Sequence, residues 1–266
     1  MRKIFFTDLD GTLLTDEKKI SPATMQALVD FTNAGNHFVI NTGRALDSAK
    51  AVQKEHGLFF KGTYLVAFNG AEIYDCDAGR DVFRSGIQMD MVKKIFEMAK
   101  EHGIHCHAYN DSSLVTPAED EELAYYRRVI KTPYIVSEDV VSKLEAEPCK
   151  IIGIELHDRA KIDAFKAAVE KMAGDRLTLL YSNPNYLEIF NKEAGKGSAV
   201  VRLATHLGID IKDTIAAGDE ENDISMIQAA GLGVAMLNGT DMVKKSADVI
   251  TKTDNNNDGL VPFITI

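Results

Sequence analysis

Ile4-Phe5-Phe6-Thr7-Asp8-Leu9-Asp10-Gly11-Thr12-Leu13-Leu14 is the stretch on which the reading of this chain turns. An apolar run, Ile4-Phe5-Phe6, stops at two aspartates separated by a single leucine. A strand that is apolar on both faces belongs in a parallel sheet covered on both sides, and ligands of such sheets bind beyond the carboxyl ends of the strands. Asp8 and Asp10 therefore project near one another at a ligand-binding edge. Two close carboxylates do not both stay ionised cheaply without a cation, and a hard divalent ion with oxygen ligands resolves the conflict. Mg2+ is the usual choice where phosphate is also bound. Gly11 lets the backbone turn back so that amides face an anion.

The same rhythm continues away from this stretch. Ser21-Pro22 is an N-cap followed by proline at the first helical position. Phe38-Val39-Ile40 is a second apolar run, Ala45 to His56 a helix, and Tyr64 to Phe68 a third run. Later, Gly197 to Leu207 reads as helix, Thr214 to Ala217 as strand and Glu221 to Ala230 as helix. Gly233 to Met236 and Asp248 to Ile250 complete the series. Strands alternating with helices, joined by right-handed connections, predict an α/β fold built on a doubly wound parallel sheet.

The middle of the chain breaks this rhythm. The helix Asp90 to His102 is followed by extended Ile104 to Asn110 and Leu114 to Thr116, and the strand Lys150 to His157 by the helix Arg159 to Ala173. That helix sets Ile162, Phe165, Val169 and Met172 on one stripe. Leu177 to Tyr181 and Tyr186 to Asn191 read as strands joined by the turn Ser182-Asn183-Pro184-Asn185. The expected organisation is a core of residues 1–82 and 188–266, interrupted by an inserted α+β domain over residues 83–187.

Three further strand ends or helix starts carry unusual residues. Asn41-Thr42-Gly43-Arg44 offers a hydroxyl, a glycine amide and a guanidinium, the parts of a small anion site. Ala194-Gly195-Lys196-Gly197-Ser198 brings a lysine to a helix start, although Phe190 and Gly197 exclude a Walker A loop. Gly218-Asp219-Glu220-Glu221-Asn222-Asp223 sets Asp219 at a strand tip and Asp223 one helical turn on. Acidic metal ligands, an anion site and a lysine are together the inventory for phosphoryl transfer to a carboxylate nucleophile.

Composition narrows the alternatives. The chain has 266 residues, 45% hydrophobic and 26% charged, with 30 Lys and Arg against 40 Asp and Glu for a net charge of −10. A broad basic face for nucleic acid is not expected from such a balance. The longest apolar run, Ala229 to Leu237, falls short of the roughly 18 residues of a membrane span. Acids stand early in MRKIFFTDLDG, where a secretory signal would carry its apolar stretch. Cys76, Cys106 and Cys149 are an odd count without CxxC spacing, which suits reduced thiols and a cytoplasmic location.

DLDGTLL, NTGR, the isolated lysine of AGKGSAV and GDEENDISM resemble the four ordered motifs of the haloacid dehalogenase (HAD) superfamily. NGAEIYD, YLEIFNKEAGKG and GVAMLNG further resemble its Cof-type branch of bacterial sugar-phosphate and small-metabolite phosphatases. The likeness spans about residues 1–82 and 188–266, and the middle corresponds in size and place to that family's cap. The resemblance implies that Asp8 is the nucleophile and forms an aspartyl-phosphate, while Asp10 protonates the leaving alkoxide and then activates water. It assigns Mg2+ to the Asp8 side chain, the Asp10 carbonyl and the Asp219 side chain, with Asp223 as a supporting or water-mediated ligand. The Leu9 amide, Thr42, the Gly43 amide, Lys196 and Asn222 are implied to hold the phosphoryl group, with Arg44 and Asn69 at the mouth. For these roles Asp8 must be ionised, and Asp10 must have a pKa raised towards working pH.

The expected activity is a Mg2+-dependent phosphatase of small phosphate esters, monomeric or weakly homo-oligomeric. A phosphomutase sharing the phospho-aspartate is the alternative within enzymes, and a phospho-Asp sensing module the alternative outside them. Other signals point elsewhere more weakly. Asp254 to Gly259 begins like an EF-hand, but Thr265 stands where a bidentate Glu is needed and Pro262 opposes a following helix. Gly231-Leu232-Gly233 lacks the third glycine of a dinucleotide fingerprint. His105 and His107 share one face of a strand without a third metal ligand, which makes them cap-surface or substrate-facing residues. Tyr125-Tyr126-Arg127-Arg128 reads as a packed, solvated helix face.

Overall fold

A computed structural model describes residues 2–128 and 130–265. The chain divides into two compact units, Met1–Arg84 with Ala194–Ile266, and Ser85–Glu193. Strands β1 (Ile4–Thr7), β2 (His37–Asn41), β3 (Thr63–Ala67), β4 (Glu72–Asp75) and β5 (Arg80–Arg84) precede the second unit. That unit holds β6 (His105–Tyr109), β7 (Leu114–Thr116), β8 (Tyr134–Val136), β9 (Ile151–Ile154), β10 (Leu177–Asn183) and β11 (Tyr186–Asn191). β12 (Thr214–Gly218), β13 (Leu232–Ala235) and β14 (Val249–Ile250) return to the first. The helices are α1 (Pro22–Asn33), α2 (Leu46–Glu55), α3 (Met89–His102), α4 (Glu121–Tyr126), α5 (Arg159–Ala173), α6 (Lys196–Leu207), α7 (Ile224–Ala229), α8 (Asp241–Ser246) and α9 (Val261–Ile264).

The first unit is the α/β fold that the apolar runs predict. Its sheet has the order β14-β13-β12-β1-β2-β3-β4-β5 and is parallel from β14 to β3. Ile4, Phe5 and Phe6 are fully buried, as a central strand covered on both sides requires. The chain leaves β1 towards β2 on one side and returns to β12 on the other, so the strand order reverses at β1. Thr7 pairs in register with both Ala217 and Ile40, which brings the residues after these three strands to one edge. α1 starts as its sequence predicts: Ser21 caps it, accepting from the Thr24 amide, and Pro22 opens it.

Three local expectations change. β4 and β5 extend the sheet as an antiparallel hairpin, and the expected domain boundary at 82 falls inside β5. Glu221 to Ala230 is not one helix: a 3-10 turn over Glu221–Asp223 precedes α7, because the Asp223 carboxylate accepts the Asp219 and Glu220 amides and holds the chain in a tighter bend. Pro262 does not prevent a helix, since in α9 it lies in the first turn, where no amide donor is needed.

In the second unit the sheet order is β10-β11-β9-β6-β7-β8. β11 pairs with both β9 and β10, which carries this unit on to Glu193, beyond the expected boundary at 187. Period-two alternation sends Cys106 and Ala108 towards the core with α3 and α5, where Ile95, Phe165 and Val169 pack. His105 and His107 take the opposite face, yet they are buried rather than on the surface. The His105 Nδ1 meets Asp120 Oδ2 at 2.7 Å, its Nε2 meets His107 Nδ1 at 3.2 Å, and the Tyr126 ring covers His107 at 4.6 Å. Burial pushes the His107 pKa well below the ordinary imidazole value. α4 ends at Tyr126, so Arg127 and Arg128 lie beyond the helix and Tyr126 is buried instead of solvated. Cys76, Cys106 and Cys149 are not joined in a disulfide. No helix among the described residues is long and apolar enough to cross a membrane.

Candidate active site

Asp8 stands one residue past β1 and Asp219 one residue past β12, on adjacent parallel strands. The Asp8 amide donates to the Ala217 carbonyl at 3.0 Å, which fixes the two tips side by side. Asp223 closes the turn after β12. Asp8, Asp219 and Asp223 each present a carboxylate oxygen within 4.8 Å of the others.

Lys196 enters this cluster from the first position of α6. The residue is 1% exposed, and its Nζ donates to Asp8 Oδ1 at 2.5 Å and to Asp223 Oδ1 at 2.6 Å. The sequence motif makes it the first residue of a helix, and packing decides its depth. Asn41 Nδ2 donates to the Lys196 carbonyl at 3.1 Å. At Gly70, which has φ +95°, an added Cβ would lie 2.2 Å from the Gly195 carbonyl oxygen, so only glycine allows that close approach. Burial disfavours the Lys196 charge, but the Asp223 and Asp8 carboxylates more than offset this and hold its pKa above the ordinary lysine value.

Two of the acids also shift upward, which for a carboxyl favours the neutral form. Burial pushes Asp8 up to about 7; Lys196 opposes the shift, while the Asp223 and Asp219 charges add to it. Asp219 rises to about 6, again mainly by burial, against the hydrogen bond that Thr12 Oγ1 donates to its Oδ1 at 2.5 Å. Clustered carboxylates with raised pKa values and hard oxygen donors suit a small divalent cation such as Mg2+. The two oxygens of Asp223 are already committed, one to Lys196 and the other to the Asp219 and Glu220 amides. Asp8 and Asp219 retain the more available oxygens.

Asp10 departs from the expectation. Its carboxylate lies outside the three-acid cluster and is clasped by Arg44, with Nε at 3.0 Å and Nη2 at 2.8 Å, and by Lys18 Nζ at 2.7 Å. Burial raises its pKa, but the hydrogen bond from Lys18 and the Arg44 charge outweigh that and leave it below the ordinary carboxylate value. The raised pKa expected of a general acid is therefore absent in this conformation, because two cations favour the ionised form. Lys18 was not legible as a site residue, being eight residues on in a charged loop.

Gly11, with φ +78°, turns the chain so closely past Asp219 that a Cβ would lie 2.3 Å from its Oδ2. Leu9 is buried, and its carbonyl accepts the Leu14 amide at 2.8 Å. Thr42 is buried after β2, and its Oγ1 accepts the Arg44 amide at 3.2 Å. Asn69 Oδ1 accepts from Asn222 Nδ2 at 3.3 Å, and a Cβ at Gly43 would lie 2.9 Å from that same oxygen. Thus Gly43, Asn69 and Asn222 gather at one place, and Arg44 faces Asp10. Thr12 and Asn41 lay inside the quoted motifs without a role; a hydroxyl and an amide at strand tips are the only local signal for them.

Acids at the topological switch point of a parallel sheet, with a buried lysine among them, are the arrangement that the motif resemblance implies. The haloacid dehalogenase-like hydrolase family matches residues 5–264. The phosphatase YwpJ of Bacillus subtilis is 30% identical over 276 residues, covering 95% of each chain. The 5-amino-6-(5-phospho-D-ribitylamino)uracil phosphatase YcsE of the same organism is 28% identical, over 98% of this chain and 94% of its own. The crystal structure of a haloacid dehalogenase-like hydrolase from Bacteroides thetaiotaomicron superposes with a TM-score of 0.88 at 26% identity, covering 99% of this chain and 98% of that one. The chain belongs to the haloacid dehalogenase-like hydrolases. It is a phosphoric monoester hydrolase.

Proposed function

We propose that the protein is a Mg2+-dependent phosphatase of small phosphorylated metabolites, sugar phosphates first among them, working through an aspartyl-phosphate on Asp8. The observation that carries this reading is the Lys196 ammonium buried between Asp8 and Asp223, beside Asp219. In this reading Asp8 and Asp219 would hold Mg2+, and Asp223 braces Lys196 and the Asp219 turn. Such an ion would supply positive charge to the phosphoryl oxygens and favour ionised carboxylates.

The chain's own groups do the remainder. Asp8 Oδ attacks phosphorus in line; the P–O bond to the leaving alkoxide breaks, and the alkoxide takes a proton from Asp10. Water, deprotonated by Asp10, then attacks the phospho-aspartate and releases inorganic phosphate. Lys196, Thr42 and the backbone amides of Leu9 and Gly43 offer donors to the spreading charge, with Asn222 at the edge. For the first step Asp10 must leave its clasp with Arg44 and Lys18 and gain a proton. The Ser85–Glu193 unit is the substrate-selecting part in this reading. A phosphorylated ribityl chain, as in the name of the Bacillus subtilis relative, is chemically close to a sugar phosphate, so both belong in the assay.

The test is phosphate release from p-nitrophenyl phosphate and a panel of sugar and polyol phosphates, with and without Mg2+. Wild type is expected to release phosphate only with the metal, and Asp8→Asn to release none while keeping its circular dichroism spectrum. Normal turnover by Asp8→Asn would refute the nucleophile assignment.

A further inference from the structure

The polar loop Asp254 to Gly259 starts like a cation loop in sequence, but two of its side chains, Asn255 and Asn256, are spent on the segment that follows Asp10. Asn255 Nδ2 donates to the Leu14 carbonyl at 3.0 Å and to Asp16 Oδ1 at 3.1 Å. Asn256 Nδ2 donates to Asp16 Oδ2 at 3.1 Å, and its Oδ1 accepts the Asp16 amide at 3.0 Å. The Asn255 amide in turn donates to Asn238 Oδ1 at 3.2 Å, which orients Asn238 Nδ2 to donate to the Gly11 carbonyl at 2.8 Å.

The segment from Gly11 to Asp16 is thus gripped from outside at Gly11, Leu14 and Asp16. Internally it folds back on its own start: the Leu13 amide donates to the Asp8 carbonyl at 3.3 Å and the Leu14 amide to the Leu9 carbonyl at 2.8 Å. Whatever holds the Gly11 and Leu14 carbonyls therefore holds the backbone of Asp8, Leu9 and Asp10.

We infer that Asn238 and Asn255 are positioning residues for phosphoryl transfer, acting through the Gly11 and Leu14 carbonyls on the Asp8–Asp10 backbone. This rests on the reading of Asp8 as nucleophile and Asp10 as acid and base. The amide group is essential because each side chain must donate to a carbonyl oxygen. Aspartate has nearly the same shape but accepts only, so it sets one oxygen against another. At Asn238 it would still accept from the Asn255 amide, which isolates the lost donor as the cause.

The experiment compares Asn238→Asp, Asn255→Asp and Asn257→Ala with wild type and Asp8→Asn. Asn257 Nδ2 donates to Asp254 Oδ1 at 2.8 Å, inside its own loop, and serves as the control. With p-nitrophenyl phosphate and Mg2+, kcat is expected to fall about 10- to 100-fold in both Asp variants while KM stays within about threefold. Hydrogen exchange of amides 8–16 is expected to quicken in both and to match wild type in Asn257→Ala. Wild-type kcat and exchange in Asn238→Asp would overturn the inference; that exposed residue keeps the test available should Asn255→Asp fail to fold. Asp8→Asn separates the two claims: inactive with wild-type exchange, it leaves the clamp to be judged by the asparagine variants, whereas an active Asp8→Asn removes the chemical premise itself.

Discussion

Lys196 Nζ lies 2.5 Å from Asp8 Oδ1 across 188 residues of sequence, and its charge is compensated a second time by Asp223 on its other side. All three groups are nearly withdrawn from water, so the arrangement is favourable only while it is complete. Lys196→Met leaves two buried carboxylates without their cation. A loss of about 3–5 kcal/mol in unfolding free energy is expected, read by urea denaturation, together with loss of turnover. A fully stable Lys196→Met would show that the acids take up protons or water in place of the cation.

Asp8 at about 7 and Asp219 at about 6 tie metal binding and stability to pH. Both folded values lie above the unfolded carboxylate value of 3.8, so folding takes up protons between them. The stabilisation is complete below about pH 4 and is lost as pH rises through about 6 and 7. In EDTA the melting temperature should therefore fall between about pH 5 and pH 8, from these two groups. Mg2+, which binds the ionised forms, should raise it more at the higher pH, with proton release measurable by calorimetry in buffers of different ionisation enthalpy.

Lys18 holds Asp10 in its ionised form, which opposes its use as an acid. Lys18→Met should raise the Asp10 pKa. If Asp10 must carry a proton in the first step, the alkaline limb of the kcat/KM profile will move to higher pH. An unmoved limb would argue against Asp10 as the acid.

Thr12 Oγ1 donates to Asp219 Oδ1 and opposes the rise of its pKa. Thr12→Val keeps the shape and removes the donor. A stability loss of about 1–3 kcal/mol is expected, with weaker Mg2+ binding near neutral pH because Asp219 holds its proton longer.

Much of the fold was legible because it is encoded by neighbours along the chain. Ile4-Phe5-Phe6, Phe38-Val39-Ile40 and Tyr64 to Phe68 are unbroken apolar runs, and Ser21-Pro22 is a local capping signal. The β4–β5 hairpin was not, because Glu72, Asp75, Arg80 and Asp81 give it no apolar run and β5 is the edge strand of the sheet. The buried histidines of β6 were missed for a related reason. Alternation assigns His105 and His107 a common face, but only α4 packing over that face decides that it is dry.

The sequence by itself determined that acids, a hydroxyl, glycines and a lysine stand at strand tips and helix starts, since strand ends and caps follow from local patterning. Tertiary structure alone decided which of them meet. β12 lies against β1 and so brings Asp219 and Asp223 to Asp8, Lys196 is carried into the interior between them, and Asp10 turns out to Arg44 and Lys18. Those choices depend on strand order, depth of burial and competition between charges, and each is a balance among residues far apart in the chain that no spacing along it records.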